Sequence, residues 1–186
     1  MRLILASASP RRAELLTSAG FEFDVMPADV DESLWPDEDA KAYALRVARD
    51  KATAVEARCR DTGSVVLSAD TVVVSKGQIL GKPKDQDDSR RMLRLLSGGV
   101  HDVHTAVVVR CDATERNELA TTRVWFGSLS ESDIGWYVVS GEPEGKAGAY
   151  AIQGRAARFI ERIDGSWSNV VGLPIATVHR LLAELK

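Results

Sequence analysis

The stretch Val65-Val66-Leu67-Ser68-Ala69-Asp70-Thr71-Val72-Val73-Val74 is apolar except for polar residues in its middle. Such a run predicts a buried strand. Asp70 is the unusual residue in it, because an unpaired carboxylate is costly to bury. We therefore expect Asp70 to be paired, to lie at an end of the strand or to bind a metal ion, and a functional role is the favoured interpretation.

Predicted strands and helices alternate on both sides of this stretch. Residues 1–6 read as a short strand, residues 38–59 as a long helix, and residues 174–185 as a final helix. Two further runs, at 103–111 and 119–126, are typical of an antiparallel pair joined by a polar turn. Because hairpins interrupt the alternation, we expect an α/β fold with a mixed sheet flanked by helices. The length of 186 residues fits one domain or two closely packed lobes.

Composition narrows the class of protein. Hydrophobic residues make up 45% and charged residues 27%, which are ordinary globular values. The net charge of −3 gives no global electrostatic reason to expect a nucleic acid or an anionic membrane as partner. No apolar run is long enough to span a bilayer, and Cys59 and Cys111 lack the spacing of a metal site or a disulfide framework. We expect a soluble protein of the cytoplasm.

The loop from Ser7 to Arg12 has the features of a phosphate site. Ser9 suits an N-cap and Pro10 the first helical position, so the loop leads into a helix whose N-terminal amides favour an anion. Arg11 and Arg12 add guanidinium groups that match phosphate oxygens. The alternative is an ordinary capped helix with solvated arginines.

Lys51 falls on the apolar stripe of the predicted long helix, four residues after Val47 and four before Val55. A lysine in that position needs an anion, unless its stem packs while its ammonium reaches water. Lys82, in the turn Gly81-Lys82-Pro83, is a second candidate for a phosphate contact, with a surface lysine as the alternative. A P-loop is rejected because Pro83 stands where Ser or Thr is needed.

Glu32, with Asp31 beside it, and Asp70 offer the hard oxygen ligands that Mg²⁺ or Mn²⁺ prefers. For Glu32 alone, a solvated loop carboxylate is the alternative. A zinc site at His101 and His104 is discounted, because a spacing of three on a strand points the rings to opposite faces.

Together these motifs closely resemble the Maf family, first named as septum formation inhibitors. The resemblance runs from end to end, as a single Maf-like domain of residues 1–186. It is carried by Ser7-Ala8-Ser9-Pro10-Arg11-Arg12, Asp31-Glu32, Ala48-Arg49-Asp50-Lys51-Ala52, Ser68-Ala69-Asp70-Thr71-Val72, Gly81-Lys82-Pro83, Lys146-Ala147-Gly148-Ala149-Tyr150-Ala151-Ile152-Gln153-Gly154 and Asn169-Val170-Val171-Gly172-Leu173-Pro174.

The resemblance implies a metal-dependent nucleoside triphosphate pyrophosphatase with the fold of the inosine triphosphate pyrophosphatases, an elongated mixed sheet forming two lobes about a cleft. It implies Asp70 as proton acceptor or metal ligand and Glu32 as metal ligand. The residues implied to bind the triphosphate are Ser9, Arg11, Arg12, Lys51 and Lys82.

Arg12, Thr71 and Gln153 match the specificity positions of the family members that act on dTTP and UTP, so the resemblance also implies a pyrimidine substrate. It suggests a homodimer as well. Two alternatives stay open: a nucleotide-binding regulator of cell division, and a pyrophosphatase of broader or purine-directed specificity.

Overall fold

The computed structural model describes residues 2–59 and 63–185 of the chain. No helix within these residues is both long enough and apolar enough to cross a membrane. The strands are β1 (Leu3–Leu5), β2 (Asp24–Val25), β3 (Val65–Ser75), β4 (Gln78–Leu80), β5 (Val100–Cys111), β6 (Thr114–Phe126) and β7 (Ile160–Asp164). The helices are α1 (Pro10–Ser18), α2 (Ala40–Glu56), α3 (Gln86–Leu96), α4 (Glu131–Val139), α5 (Trp167–Val171) and α6 (Ile175–Ala183).

The strands form one mixed sheet in the order β2-β1-β3-β5-β6-β7, and β4 pairs with β3 off this path. β1 runs parallel to both β2 and β3, whereas the pairs β3–β4 and β6–β7 are antiparallel. The predicted mixed sheet with flanking helices is therefore confirmed.

The chain divides into two compact units. The first contains Met1–Asp70, Thr105–Ala120 and Gly172–Lys186, and the second contains Thr71–His104 and Thr121–Val171. β3, β5 and β6 each have residues in both units.

Alternate residues of β1, β3 and β5 build the core of the first unit. Successive side chains of a strand point to opposite faces of the sheet, so every second residue lies on the same face. That face meets apolar residues of α1 and α6. The cluster consists of Leu3, Leu5, Leu16, Val65, Leu67, Ala69, Val107, Val109, Leu173, Val178, Leu181 and Leu182.

Helix α2 contacts polar residues of β3 that alternate with this core. The Ser68 hydroxyl donates to the carbonyl oxygen of Ala48 at 2.7 Å, and the Asp70 carboxylate accepts from Lys51 at 2.7 Å. Because Ser68 and Asp70 are two residues apart on the strand, both can face the same helix. The polar residues Ser68 and Asp70 that interrupt the apolar run are thus the ones that contact α2.

The predicted helix at 38–59 was too long at both ends. α2 begins at Ala40, because the Asp39 carboxylate caps it by accepting from the backbone amides of Lys41 and Ala42. Glu38 lies before the cap and pairs with Arg46. The helix ends at Glu56.

The predicted N-terminus of α1 is confirmed, with Ser9 as N-cap and Pro10 as the first helical residue. The predicted hairpin strands were too short, since β5 begins at Val100 and β6 at Thr114, and the turn between them is only Asp112 and Ala113.

An aromatic cluster around His101 stabilises the second unit. The His101 ring packs edge-on against Phe126 and Tyr150, with centroids 5.1 and 5.4 Å away. Its Nε2 lies 2.8 Å from the Tyr150 hydroxyl, and only 3% of the residue is exposed. Burial lowers the pKa of His101 from 6.5 to about 4, although Asp102 opposes the shift.

We expect this histidine to make the folded protein sensitive to mild acid. The unfolded chain binds a proton at His101 near pH 6.5 and the folded chain only near pH 4, so stability is lost as the pH falls through this window. Across this window, His101 lowers the free energy of unfolding by about 3 kcal/mol. Urea unfolding of wild type and His101→Gln at a series of pH values measures it. The wild-type curve should fall more steeply below pH 6.5, and parallel curves would contradict the assignment.

Candidate active site

The loop between β1 and α1 presents its cations at a helix N-terminus. Ser9 takes the N-cap position but makes no side-chain capping hydrogen bond, and no acidic residue lies in the first turn of α1. Arg11 and Arg12 occupy that turn instead. Cations there oppose the helix dipole, so this arrangement favours a bound anion.

Arg12 is held rigidly although it carries a charge. Its Nε donates to the carbonyl oxygen of Gly172 at 2.8 Å, and its Nη1 donates to the Ser7 hydroxyl at 3.2 Å. The residue is buried, and burial lowers the pKa of its guanidinium. Asp70 and Glu32 act in the opposite direction and raise that pKa, which places both carboxylates in the electrostatic field of Arg12.

The ammonium of Lys51 joins the two carboxylates. Its Nζ lies 2.7 Å from Oε1 of Glu32 and 2.7 Å from Oδ1 of Asp70. The Lys51 and Asp70 side chains are 8% and 10% exposed, whereas that of Glu32 is 37% exposed. In this three-residue cluster, Lys51 and Asp70 are therefore buried, whereas Glu32 is partly open to solvent.

The alternative of a solvated, snorkelling lysine does not hold for Lys51. Its side chain is buried and reaches carboxylates from two other segments of the chain. Asp70, for its part, is paired.

Tyr43 belongs to the same cluster, and sequence reasoning missed it. Its hydroxyl donates to the backbone carbonyl of Glu32 at 2.8 Å. Burial first, and then the charges of Asp70 and Glu32, raise the pKa of Tyr43 to about 12. The signal was available in principle, because Tyr43 lies eight residues before Lys51 on the same face of the helix.

The donor set of Glu32 and Asp70 fits a magnesium-like cation. Among residues 2–59 and 63–185, no group of three or more His, Cys, Asp or Glu side chains could hold a metal ion. Magnesium, however, is commonly bound by one or two carboxylates together with water and substrate phosphates. Two converging carboxylates beside cationic groups therefore suit a cation whose remaining ligands are water and phosphate oxygens.

Thr71, Lys82 and Gln153 belong to the second unit. Thr71 is half-buried and follows Asp70 directly on β3. Lys82 is exposed in a bend and Gln153 is exposed in a turn. A backbone hydrogen bond of 3.1 Å, from the Gly148 amide to the Gly81 carbonyl, joins the segments that carry Lys82 and Gln153.

Gly148 has to be glycine in this connection. Its φ is +70°, and an added Cβ would lie 3.0 Å from the Val73 side chain. Both the left-handed conformation and the lack of space disfavour any larger residue. Gly148 therefore allows the backbone of the motif at residues 146–154 to pack directly against the Val73 side chain.

The turn that bears Gln153 is fixed by Glu142, which sequence reasoning also missed. The Glu142 carboxylate accepts from the backbone amides of Arg155 and Ala156 and from the Tyr137 hydroxyl at 2.9 Å. It lies so close to Gly154 that an added Cβ would meet its oxygens at 2.5 Å. A single carboxylate thus caps the short 3-10 helix that follows Gln153.

The model of the family described as "Maf-like protein" matches residues 2–185. The chain belongs to the Maf family. It is 52% identical over 185 residues to the dTTP/UTP pyrophosphatase of Anaeromyxobacter dehalogenans strain 2CP-1, covering 97% of this chain and 92% of that protein. It is also 52% identical over 186 residues to the dTTP/UTP pyrophosphatase of Hahella chejuensis, covering 98% of this chain and 92% of that protein.

The fold is similar to that of the Staphylococcus aureus Ham1 protein. The two chains superpose with a TM-score of 0.53 and 11% sequence identity, over 100% of each. At this identity the likeness speaks for the fold alone, and it confirms the fold class that the Maf resemblance predicts.

Removing the Lys51 ammonium should destabilise the folded protein. In Lys51→Met, the Asp70 and Glu32 carboxylates keep their places without the cation between them, and breaking such a pair costs about 3 kcal/mol. Urea unfolding at neutral pH measures the loss. Lys41→Met is the matched control, because Lys41 is exposed on the same helix and should change stability by less than about 0.5 kcal/mol. Equal losses in the two variants would contradict a buried ionic cluster.

Proposed function

We propose that this chain hydrolyses dTTP and UTP to the nucleoside monophosphate and pyrophosphate, with the help of a divalent metal ion. The observation that carries the proposal is the ammonium of Lys51 held between Glu32 and Asp70, within the electrostatic field of Arg12. Relatives at 52% identity over nearly the whole chain, named dTTP/UTP pyrophosphatases, support the choice of reaction and of substrate.

The reaction needs a water molecule aimed at the α phosphorus and a base to accept its proton. The bond from the α phosphorus to the bridging oxygen then breaks, and pyrophosphate leaves. We assign the proton to the Asp70 carboxylate, which Lys51 holds in a fixed orientation at 2.7 Å.

The triphosphate would be bound by cations from several segments. Arg11 and Arg12, with the N-terminal amides of α1 and the Ser9 hydroxyl, form a cradle for phosphate oxygens. Lys51 has three N–H donors, of which two are directed at Asp70 and Glu32, so a third can reach a phosphate. Lys82 would add a further positive charge. These cations would stabilise the negative charge that develops on the departing pyrophosphate.

Glu32 and Asp70 would hold the divalent cation, Mg²⁺ or Mn²⁺, together with the substrate. When bound, such a cation neutralises charge on phosphate oxygens and makes the phosphorus more electrophilic. Glu32 is 37% exposed, so solvent would have access to a cation held there.

Arg12, Thr71 and Gln153 would provide the preference for a pyrimidine. The Gln153 amide both donates and accepts hydrogen bonds, which suits the edge of a pyrimidine base. Glu142 holds the backbone that follows Gln153, because its carboxylate accepts from the amides of Arg155 and Ala156. We further propose that the enzyme acts on free nucleotides in the cytoplasm. The resemblance also suggests a homodimer, and light scattering would measure the oligomeric state.

Pyrophosphate release from a panel of triphosphates, with Mg²⁺ or Mn²⁺ and with chelator, tests the proposal directly. We expect dTTP and UTP to be the preferred substrates, chelator to stop the reaction, and Asp70→Asn to lower turnover by more than about 100-fold while the fold is kept. A nucleotide-binding regulator would bind the panel without releasing pyrophosphate. An enzyme with purine preference would reverse the ranking. Wild-type turnover in Asp70→Asn would exclude Asp70 as the base.

Gln153→Ala should change the ranking of substrates by kcat/KM more than it lowers turnover of all of them. Loss of the amide removes hydrogen bonds to the base but leaves the phosphate and metal groups intact, so kcat/KM should fall about tenfold more for dTTP than for purine triphosphates. The neighbouring Arg155→Ala serves as the control, because that side chain is also exposed beside the same turn. An unchanged ranking of substrates in Gln153→Ala would refute a base-reading role.

A further inference from the structure

Glu32 lies on a segment without regular secondary structure, residues 31–38, which we call the acidic loop. Its apolar residues do not anchor it, because Leu34 is 50% exposed and Trp35 is 57% exposed. A loop with so little apolar burial loses conformational entropy on ordering and needs another source of stability. The acidic loop must therefore be stabilised mainly by polar contacts.

Arg46 of α2 makes three hydrogen bonds to the acidic loop. Its Nε and Nη2 donate to the two carboxylate oxygens of Glu38 at 2.7 and 2.8 Å, and Nη2 also donates to the carbonyl oxygen of Ser33 at 2.9 Å. The Trp35 ring stacks on the guanidinium, with Cζ 4.0 Å from the ring centroid. The Arg46 and Glu38 side chains are only 15% and 9% exposed, so this bidentate pair is shielded from water.

Tyr43 completes the attachment from the preceding turn of the same helix. Its hydroxyl donates to the backbone carbonyl of Glu32 at 2.8 Å. The helix therefore holds the acidic loop near both of its ends, and Lys51, two turns further on, meets the Glu32 carboxylate.

We propose that Arg46 is a positioning residue that holds the acidic loop so that the Glu32 carboxylate meets Lys51 and Asp70 at the cation site. The inference rests on the proposed function, since it assigns to Glu32 the role of a metal ligand. Arg46 itself contacts the loop at Glu38, Ser33 and Trp35 and acts on the site through it.

The primary experiment measures Mn²⁺ binding by calorimetry on the nucleotide-free protein, so its result does not depend on turnover. Arg46→Gln should weaken Mn²⁺ binding about tenfold or more, as expected when a group that orients a metal ligand is lost. Arg46→Lys, which keeps the charge but not the two-pronged donor geometry, should recover part of that loss.

The matched control is Arg49→Gln. Arg49 lies on the same helix and also donates to a carboxylate, Glu115 Oε1 at 2.8 Å, but that partner belongs to β6 and not to the acidic loop. The control should bind Mn²⁺ as wild type does. Circular dichroism and hydrogen exchange establish that each variant is folded, and faster exchange in Arg46→Gln should be confined to residues 31–38.

Glu38→Gln tests the attachment from the loop side. If Arg46 acts through Glu38, the double variant should bind Mn²⁺ no more weakly than the poorer single variant. Equal Mn²⁺ affinity in Arg46→Gln and Arg49→Gln, or wild-type protein that binds no Mn²⁺, would overturn the positioning role. A wild-type protein that binds Mn²⁺ but releases no pyrophosphate would instead refute the proposed reaction, and the comparison of variants would still decide the role of Arg46.

In the active enzyme, the same variants give a second readout. Arg46→Gln should raise the Mn²⁺ concentration needed for half-maximal turnover about tenfold and leave KM for the nucleotide at saturating metal nearly unchanged. A rise in nucleotide KM alone, with unchanged metal dependence, would contradict the proposal.

Discussion

The ammonium of Lys51 lies between two carboxylates that arrive from different parts of the chain, at 2.7 Å from each. One comes from a central strand of the sheet and the other from a loop without regular structure. Neither carboxylate could approach the other so closely at low cost without a cation between them. Through this one ammonium, α2 is joined both to β3 at Asp70 and to the acidic loop at Glu32.

The alternation of β3 explains how one strand serves both stability and chemistry. Val65, Leu67 and Ala69 join the apolar cluster with α1 and α6, whereas Ser68 and Asp70 contact α2. Because the side-chain period of a strand is two, a shift of one residue in register would exchange the polar and apolar faces. The parallel pairing with β1, Leu3 opposite Val65, fixes that register.

A chain with a net charge of −3 can still bind a highly anionic ligand if its cations are concentrated locally. Arg11 and Arg12 stand at a helix N-terminus, and Arg12 is oriented by the Gly172 carbonyl and the Ser7 hydroxyl. The proposed dTTP and UTP hydrolysis uses each of these charged groups. The acidic loop adds a feature that the motifs alone do not contain, namely its attachment to α2 through Arg46.

The sequence by itself determined the mixed α/β class, the start of α1 at Pro10, the family and the segments that carry the candidate residues, because periodicity, helix-start residues and ordered motifs are local signals. Helix and strand ends were less well predicted, since α2 starts where the Asp39 side chain caps it and the hairpin turn needs Asp112 at a positive φ. Only the tertiary structure decided that Lys51 pairs with both Asp70 and Glu32, that Tyr43 and Arg46 contact the acidic loop, and that Glu142 caps the short helix after Gln153. Those contacts join residues far apart in sequence, whose approach is set by packing and charge and leaves no periodic pattern in the chain.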